Sequence, residues 1–206
     1  MAVIESKELT NIRREEIMDA CESLYEEKGY RAITIKDIST VTSFSRPSIY
    51  NYFQTKEEIF LGILTREYMK WNMSLKNISE LESRLEPDKL ADEISKSMEE
   101  RKTLLKISAM NLYEIEENSR DILLIDYKRE FKKTVELFDK CLSRHLTDVS
   151  EEKRAQIRYA FFPYMYGIYP YAYPTDKQLE AMDTVGLSYK RVSIYDLTYQ
   201  FLSLIF

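Results

Sequence analysis

The sequence predicts an all-α chain. Its 206 residues are 44% hydrophobic and 32% charged, with only 4 Gly and 5 Pro, too few turn-formers for a β fold and too much apolar content for a disordered chain. Apolar residues recur at steps of three and four over most of the length, which is the period of a helix with one buried face. No internal repeat or low-complexity tract interrupts that pattern.

From Asn11 to Lys28, the positions Ile17, Ala20, Cys21, Leu24 and Tyr25 share one helical face, and Gly29 supplies the stop. A short second helix starts with Thr34 as N-cap, carries Ile35 and Ile38, and has Asp37 at N3, where a carboxylate suits the free N–H groups. It ends near Val41 or Thr42. After Thr42-Ser43-Phe44, Ser45 caps a third helix from Arg46 to Tyr52, with Pro47 in the first turn, where a missing N–H costs nothing. Thr55-Lys56-Glu57-Glu58 then reads as a capping box for a long helix through Ile59, Phe60, Ile63, Leu64, Tyr68, Trp71 and Leu75 to about Ile78.

Pro and charge break the pattern between Ser79 and Pro87. Asp88 caps a helix through Ala91, Ile94 and Met98, and Leu104, Leu105, Ser108, Leu112 and Ile115 mark another. Ser119 to about Leu146 is a long amphipathic helix. Glu151 to Tyr173 is helical and aromatic-rich, and Pro163, Gly167 and Pro170 lead to an expectation of kinks. The tail from Ser193 to Phe206 fits both strand and helix periods; helix is preferred, because a lone strand would have no partner.

Composition also restricts function. A net charge of −5 is wrong for a protein that coats nucleic acid non-specifically, yet Arg31, Lys36, Arg46 and Lys56 against Asp37 make one short segment locally basic. The two cysteines, Cys21 and Cys141, lie far apart and no Cys/His cluster has metal-ligand spacing, so no metal site and no cofactor are expected. The single histidine, His145, falls near a helix C-terminus, where the dipole favours a cation. No Ser/His/Asp, Cys/His or Gly-rich phosphate pattern accompanies it, so an enzyme is not expected. The N-terminus has no apolar signal region and no window approaches a membrane span of roughly 20 residues, which predicts a cytoplasmic protein with no membrane partner.

Two short helices joined by a three- or four-residue turn make a helix-turn-helix, whose second helix enters the major groove while the first crosses the backbone. Gly29-Tyr30, Thr34-Ile35-Lys36-Asp37-Ile38, the run from Ser45 to Phe53 and Thr55-Lys56-Glu57-Glu58-Ile59-Phe60 together resemble the TetR family of repressors over about residues 11 to 64, in matching order and spacing. The chain departs from the family pattern in the turn, with Ser43 where the family often has Gly and Phe44 where it often has Val.

Physical chemistry places the same residues on DNA. Thr34 and Lys56, at helix starts, suit phosphates, and Lys36 is either a contact or a solvated charge. Ser45, Arg46, Pro47 and Ser48 open the recognition helix, where Arg46 can hold guanine in a bidentate manner. Tyr50, Asn51 and Tyr52 are polar or aromatic where a solvated helix would carry Glu or Lys; the resemblance implies that Tyr50 meets phosphate and its followers phosphate or base. Ile38, Ile49 and Phe53 pack the helices together.

The predicted organisation is a DNA-binding domain over 1–56 and a helical ligand-binding and dimerisation domain over 57–206, with 57–78 as the connecting helix. The resemblance implies a homodimer on a near-palindromic double-stranded DNA operator, released by a small-molecule effector. Trp71, Met110, Tyr113, Tyr127, Phe131, Phe138, Tyr164 and Met165 are candidates for an apolar effector pocket, each also readable as ordinary core. Excess aromatic surface between Tyr159 and Tyr173 and the apolar tail suggest a dimer interface including Phe161, Tyr199 and Leu202.

Overall fold

The structure is a computed structural model that describes residues 2–206, with side chains from Glu8 onward. Among the described residues every regular element is helical, as the sequence predicts, and no helix is long and apolar enough to cross a membrane. The order is α1 (Ala2–Lys28), a 3-10 turn (Tyr30–Ala32), α2 (Ile35–Thr40), α3 (Arg46–Ile49), α4 (Lys56–Ser79), α5 (Pro87–Glu99), α6 (Lys102–Glu117), α7 (Asp121–His145), α8 (Glu151–Ala172), α9 (Asp176–Thr184) and α10 (Ile194–Ile205).

These helices form two compact units. One comprises the chain up to Arg66 together with Asn111–Lys128; the other comprises Glu67–Met110 and Arg129–Phe206. The first unit is thus larger than the 1–56 segment the sequence suggests. The first turns of α4 bury Ile59, Phe60, Ile63 and Leu64, and Arg66 holds Glu15, Asp19 and Glu22 of α1 at 2.7, 2.6 and 2.6 Å.

In the first unit α1 buries Ile17, Met18, Cys21, Leu24 and Tyr25. It begins nine residues before the expected Asn11, because the preceding residues favour helix but carry no apolar period. Gly29 ends it at φ 74°, a conformation that costs other residues energy, and its amide bonds to Tyr25 O. Phe60 meets Tyr25 edge-on at 5.2 Å and Tyr30 at 4.9 Å. A Cβ at Gly62 would come within 2.7 Å of Met18 Sδ, so α1 and α4 approach closely there.

The recognition helix ends earlier than expected, at Ile49 rather than Tyr52. The chain tightens into bonds from Asn51 N to Ser48 O and Tyr52 N to Ile49 O, which bring Phe53 into the core. Thr55 caps α4 by accepting from Glu58 N at 3.1 Å, but the box is not reciprocal: Glu58 Oε2 accepts from Gln54 N at 2.7 Å.

The second unit is built around Tyr68, Trp71, Phe138 and Phe161, all fully buried. Phe161 stacks on Phe138 at 4.4 Å, and Phe162 meets Phe131, Phe138 and Phe161 edge-on. Trp71 donates its indole N–H to Ser97 Oγ at 3.0 Å, so the ring is buried without an orphaned donor. The tail is a helix, and α10 packs on α5 through Ile194, Thr198 and Leu202. Helix α8 runs unbroken through Pro163 and Pro170.

Three local expectations need correcting. The N-cap of α5 is Glu86, with Pro87 in the first turn, so Asp88 lies inside the helix. A helix the sequence reading passed over, α9, starts with a capping box of Thr175 and Gln178 but buries none of its residues, so it has no apolar stripe to reveal it. His145 ends α7, as the sequence predicts, but it is buried in hydrogen bonds to the chain before α5: Leu85 N–H donates to Nδ1 at 3.0 Å, and this leaves Nε2 to donate to Ile78 O at 2.9 Å.

Candidate nucleic-acid interface

Ile38, Ile49 and Phe53 are fully buried, which fixes the two short helices α2 and α3 in register. The turn between them, which carries Ser43 in place of the family's usual Gly, is pinned from α1: Glu16 Oε1 accepts from Ser43 N at 2.8 Å and from Ser43 Oγ at 2.7 Å. These two bonds hold the exposed Glu16 carboxyl below its usual range. Sequence reading could not pair Glu16 with Ser43 across 27 positions.

The expected contact residues divide by what already engages them. Thr34 is the N-cap of α2 in a full capping box: its hydroxyl donates to Asp37 Oδ2 at 2.5 Å and accepts from Asp37 N, and its own N–H donates to the same carboxylate. Asp37 thereby occupies the anion position at the start of α2, the place the sequence reading gave to a phosphate. Thr34, through its hydroxyl bonds, holds the carboxyl of Asp37 below its usual range. Lys56 is likewise drawn inward, with Nζ donating to Tyr30 O at 3.2 Å and lying 4.2 Å from the Tyr30 ring centroid. Lys36 is exposed.

Around the buried Ile49, the other side chains of α3 are exposed or half-buried. Ser45 caps the helix, its Oγ accepting from Ser48 N and lying 2.8 Å from Ser48 Oγ. Arg46, Pro47, Tyr50 and Asn51 are exposed. Arg46 Nη2 donates to Tyr50 OH at 3.2 Å, and its guanidinium lies 5.8 Å from the Tyr50 ring, so the two side chains extend together from one face. Tyr52 is half-buried, tilted against Phe44 at 6.2 Å, and accepts from Arg13 Nη1 at 3.0 Å. Arg13 is not identifiable from sequence, since nothing there ties position 13 to position 52. A surface of Arg, Ser, Asn and Tyr donors on a short helix can bond phosphate oxygens and base edges.

The proposed effector and dimer residues are redistributed. Met110 and Tyr113 are exposed, at 60% and 84%, because the buried stripe of α6 runs through Leu104, Leu105, Ile107, Ser108 and Ile115 on its other side. They do not line an apolar pocket in this structure. Trp71, Phe138 and Met165 are fully buried core, Phe131 is half-buried, and Tyr127 is buried but belongs to the first unit. Tyr164 stacks on Phe201 with ring centroids 4.0 Å apart and planes 3° apart. Phe161 and Leu202, expected at an interface, are fully buried within the chain, whereas Tyr199 is half-buried and stacks on Tyr195 at 5.9 Å. The outward apolar side chains are instead Tyr159, Tyr171 and Leu204. Between α8 and α10 an open groove of about 310 Å³ is lined by Pro163, Tyr164, Gly167, Ile168, Tyr171 and Leu197.

Comparison with known proteins agrees with this geometry. Residues 17–63 match the family model described as bacterial regulatory proteins of the tetR family, and residues 65–206 match the tetracyclin repressor-like C-terminal domain. The transcriptional regulator YfiR of Bacillus subtilis (strain 168) is 36% identical over 59 residues, 29% of each chain. QacR of Staphylococcus aureus is 34% identical over 58 residues, 28% of this chain and 31% of QacR. The chain therefore spans less than a third of the length of these two relatives. The repressor KstR2 of Rhodococcus jostii is 26% identical over 153 residues, 72% of each chain.

Among solved structures, a TetR/AcrR-family regulator from Thermobifida fusca has a TM-score of 0.63 at 17% identity, covering 94% of this chain and 96% of that one. PfmR from Thermus thermophilus has a TM-score of 0.62 at 16% identity, covering 92% and 96%. At these identities the likeness concerns the fold. With a helix-turn-helix presenting Arg46 and Tyr50, and with family models matched over both parts of the sequence, the chain belongs to the TetR family of DNA-binding transcriptional regulators.

Proposed function

We propose that this regulator acts as a repressor: a cytoplasmic homodimer that binds a near-palindromic operator through α2 and α3 and is released by a small apolar or aromatic effector. The observation that carries the DNA-binding part is the exposed Arg46–Tyr50 pair at 3.2 Å on α3, flanked by Ser45, Ser48 and Asn51. Arg46 is the base-reading candidate, and Tyr50 and Tyr52 are candidates for phosphate. Thr34 and Lys56 remain contact candidates only if DNA draws them from Asp37 and Tyr30.

Bulk charge cannot supply the affinity of a chain with net charge −5, and one helix-turn-helix makes too few contacts for specificity, so two half-sites about one DNA turn apart are needed. The groove between α8 and α10, with the exposed Tyr171 in its lining, and the exposed Leu204 of α10 are the surface offered for the second copy. Tyr199 stays in this candidate interface.

The effector would act by stabilising a conformation in which the recognition helices no longer match successive grooves, which requires a difference in its affinity for the two states. Trp71, Phe131, Phe138, Tyr164 and Met165 are the candidates that remain on the second unit's aromatic interior. Helix α4 is continuous from Lys56 to Ser79 and is the candidate lever.

A mobility-shift titration with the upstream region of the protein's own gene tests the reading. Arg46→Ala and Tyr50→Ala should lose specific binding while retaining the thermal melt; specific binding that survives both substitutions rejects the α3 assignment. A thermal-shift screen of apolar and aromatic compounds, followed by the same titration, tests release.

A further inference from the structure

We infer that Arg13, which lies outside the helix-turn-helix, forms with Tyr52 a clamp for one backbone phosphate of the operator; this rests on the DNA-binding reading of the α2–α3 face. Arg13 is exposed on α1, and its Nη1 donates to Tyr52 OH at 3.0 Å. In that bond the phenol is the acceptor, so its single hydrogen is left to donate elsewhere, and the guanidinium keeps further N–H groups. An arginine N–H and a tyrosine O–H joined by one hydrogen bond can converge on a single anionic oxygen, where charge assistance makes both bonds strong. Backbone phosphates are the usual partners of such donors on a protein–DNA surface.

The phenol is held for that task. Its ring leans on Phe44, and its amide bonds to Ile49 O at 2.9 Å, which ties it to the end of α3 beside Tyr50. The same arrangement occurs in Arg46 and Tyr50, with Nη2 donating to OH at 3.2 Å. Two arginine–tyrosine pairs therefore flank the exposed α3 surface, one built within the motif and one completed from α1.

Adjacent arginines on α1 have different jobs. Arg14 lies 4.4 Å from the Phe53 ring centroid, and its burial lowers the guanidinium's pKa. Arg13 stays at the surface. Four acidic side chains of α1 are bound in other directions, Glu16 to Ser43 and Glu15, Asp19 and Glu22 to Arg66. The arginine and its tyrosine partner thus present a positive donor pair.

The test uses the full chain and a duplex that the wild-type protein selects from a random library. Affinity is titrated across salt concentration for wild type, Arg13→Gln, Arg13→Lys, Tyr52→Phe, Arg13→Gln with Tyr52→Phe, and Arg46→Ala. Each phosphate contact contributes about 0.9 to the slope of log K against log salt, so Arg13→Gln should flatten the slope by about 0.9 per protomer, about 1.8 for the dimer, and weaken dimer binding about 60-fold at about 0.1 M salt. The loss should be equal for all selected sequences, since a phosphate carries no base information. Arg13→Lys should recover most of the slope, and Tyr52→Phe should add little to Arg13→Gln, because the two groups act as one unit.

A purely structural bond would lower the melting temperature and leave the salt slope alone. If Arg13→Gln keeps the wild-type slope and affinity while Arg46→Ala loses specific binding, the clamp is overturned and the α3 reading stands. If Arg46→Ala also binds as wild type does, or the wild-type chain selects no sequence, the DNA-binding face is misassigned and the clamp falls with it. Tyr52→Phe preserves the ring against Phe44 and removes only the phenol O–H, so wild-type affinity in that variant overturns the clamp even where Arg13→Gln folds poorly.

Discussion

Arg120 grips Glu58 with three nitrogens: its backbone N–H reaches Oε1 at 3.3 Å, its Nε the same oxygen at 2.5 Å, and its Nη2 reaches Oε2 at 2.9 Å. Beside them Thr55 Oγ1 donates to Asn118 O at 3.1 Å. The turn between α6 and α7 is thus fastened to the first turn of α4, directly after the helix-turn-helix. The two partners are unequal, since the Glu58 side chain is 1% exposed and that of Arg120 is 42% exposed.

That inequality predicts which substitution hurts more. Arg120→Ala strands a buried carboxylate, whereas Glu58→Gln frees a guanidinium that water can solvate and leaves an amide oxygen for Gln54 N. Arg120→Ala should destabilise the fold by about 2–3 kcal/mol, toward the low end for a broken buried pair because one partner is partly exposed. Glu58→Gln should cost less than half of that. Urea melts of both variants at neutral pH check the order, and equal losses would contradict it.

The same pair predicts a pH response. Burial alone raises the Glu58 carboxyl, but the hydrogen bonds from Arg120 and the Gln54 amide outweigh it and hold the group below its ordinary value. A folded-state pKa below the unfolded one gives stability that is complete above the unfolded value of about 4.3 and is lost as pH falls through the folded value. The stability difference between wild type and Glu58→Gln should therefore shrink below about pH 4.3. Chemical melts between neutral pH and acid measure it; a difference that stays constant would show that Glu58 does not titrate in this way.

Phe161 and Leu204 should behave in opposite ways. Phe161 stacks on Phe138 and is fully buried, so Phe161→Ala should cost about 3–5 kcal/mol of folding free energy. Leu204 is 85% exposed, so Leu204→Glu should change the melt of the isolated chain by less than about 0.5 kcal/mol. If α8 and α10 pair two copies, Leu204→Glu should nevertheless shift sedimentation toward monomer. An unchanged sedimentation profile would place the interface elsewhere.

Both cysteines should be silent in the native state. Burial pushes the thiols of Cys21 and Cys141 up to about 12, which leaves almost no thiolate at neutral pH. A thiol-disulfide exchange reagent should label neither until denaturant is added. Rapid labelling of either one in the folded protein would mean that its helix opens locally.

By itself the sequence determined the helical class, the helix-turn-helix and its caps. These rest on local physics: a 3.6-residue apolar period, Thr34 and Ser45 hydroxyls bonding amides three residues on, and Ile38, Ile49 and Phe53 spaced to meet. It located the extra apolar surface of α8 and the tail, but could not sort it. Phe161 faces inward and Tyr159 outward, and the choice depends on where Phe138 and Trp71 stand across the core.

Tertiary structure alone decided the long-range polar pairs: Glu16 with Ser43, Arg13 with Tyr52, and Arg120 with Glu58. Each joins residues between 27 and 62 positions apart. A hydrogen bond depends on distance and angle between two groups, and no periodicity along one strand of sequence encodes the distance to a group on another helix. Thr34 differs from these: the sequence offers it both as a cap with Asp37 at N3 and as a phosphate site, and the local bonds of the fold give that position to the Asp37 carboxylate.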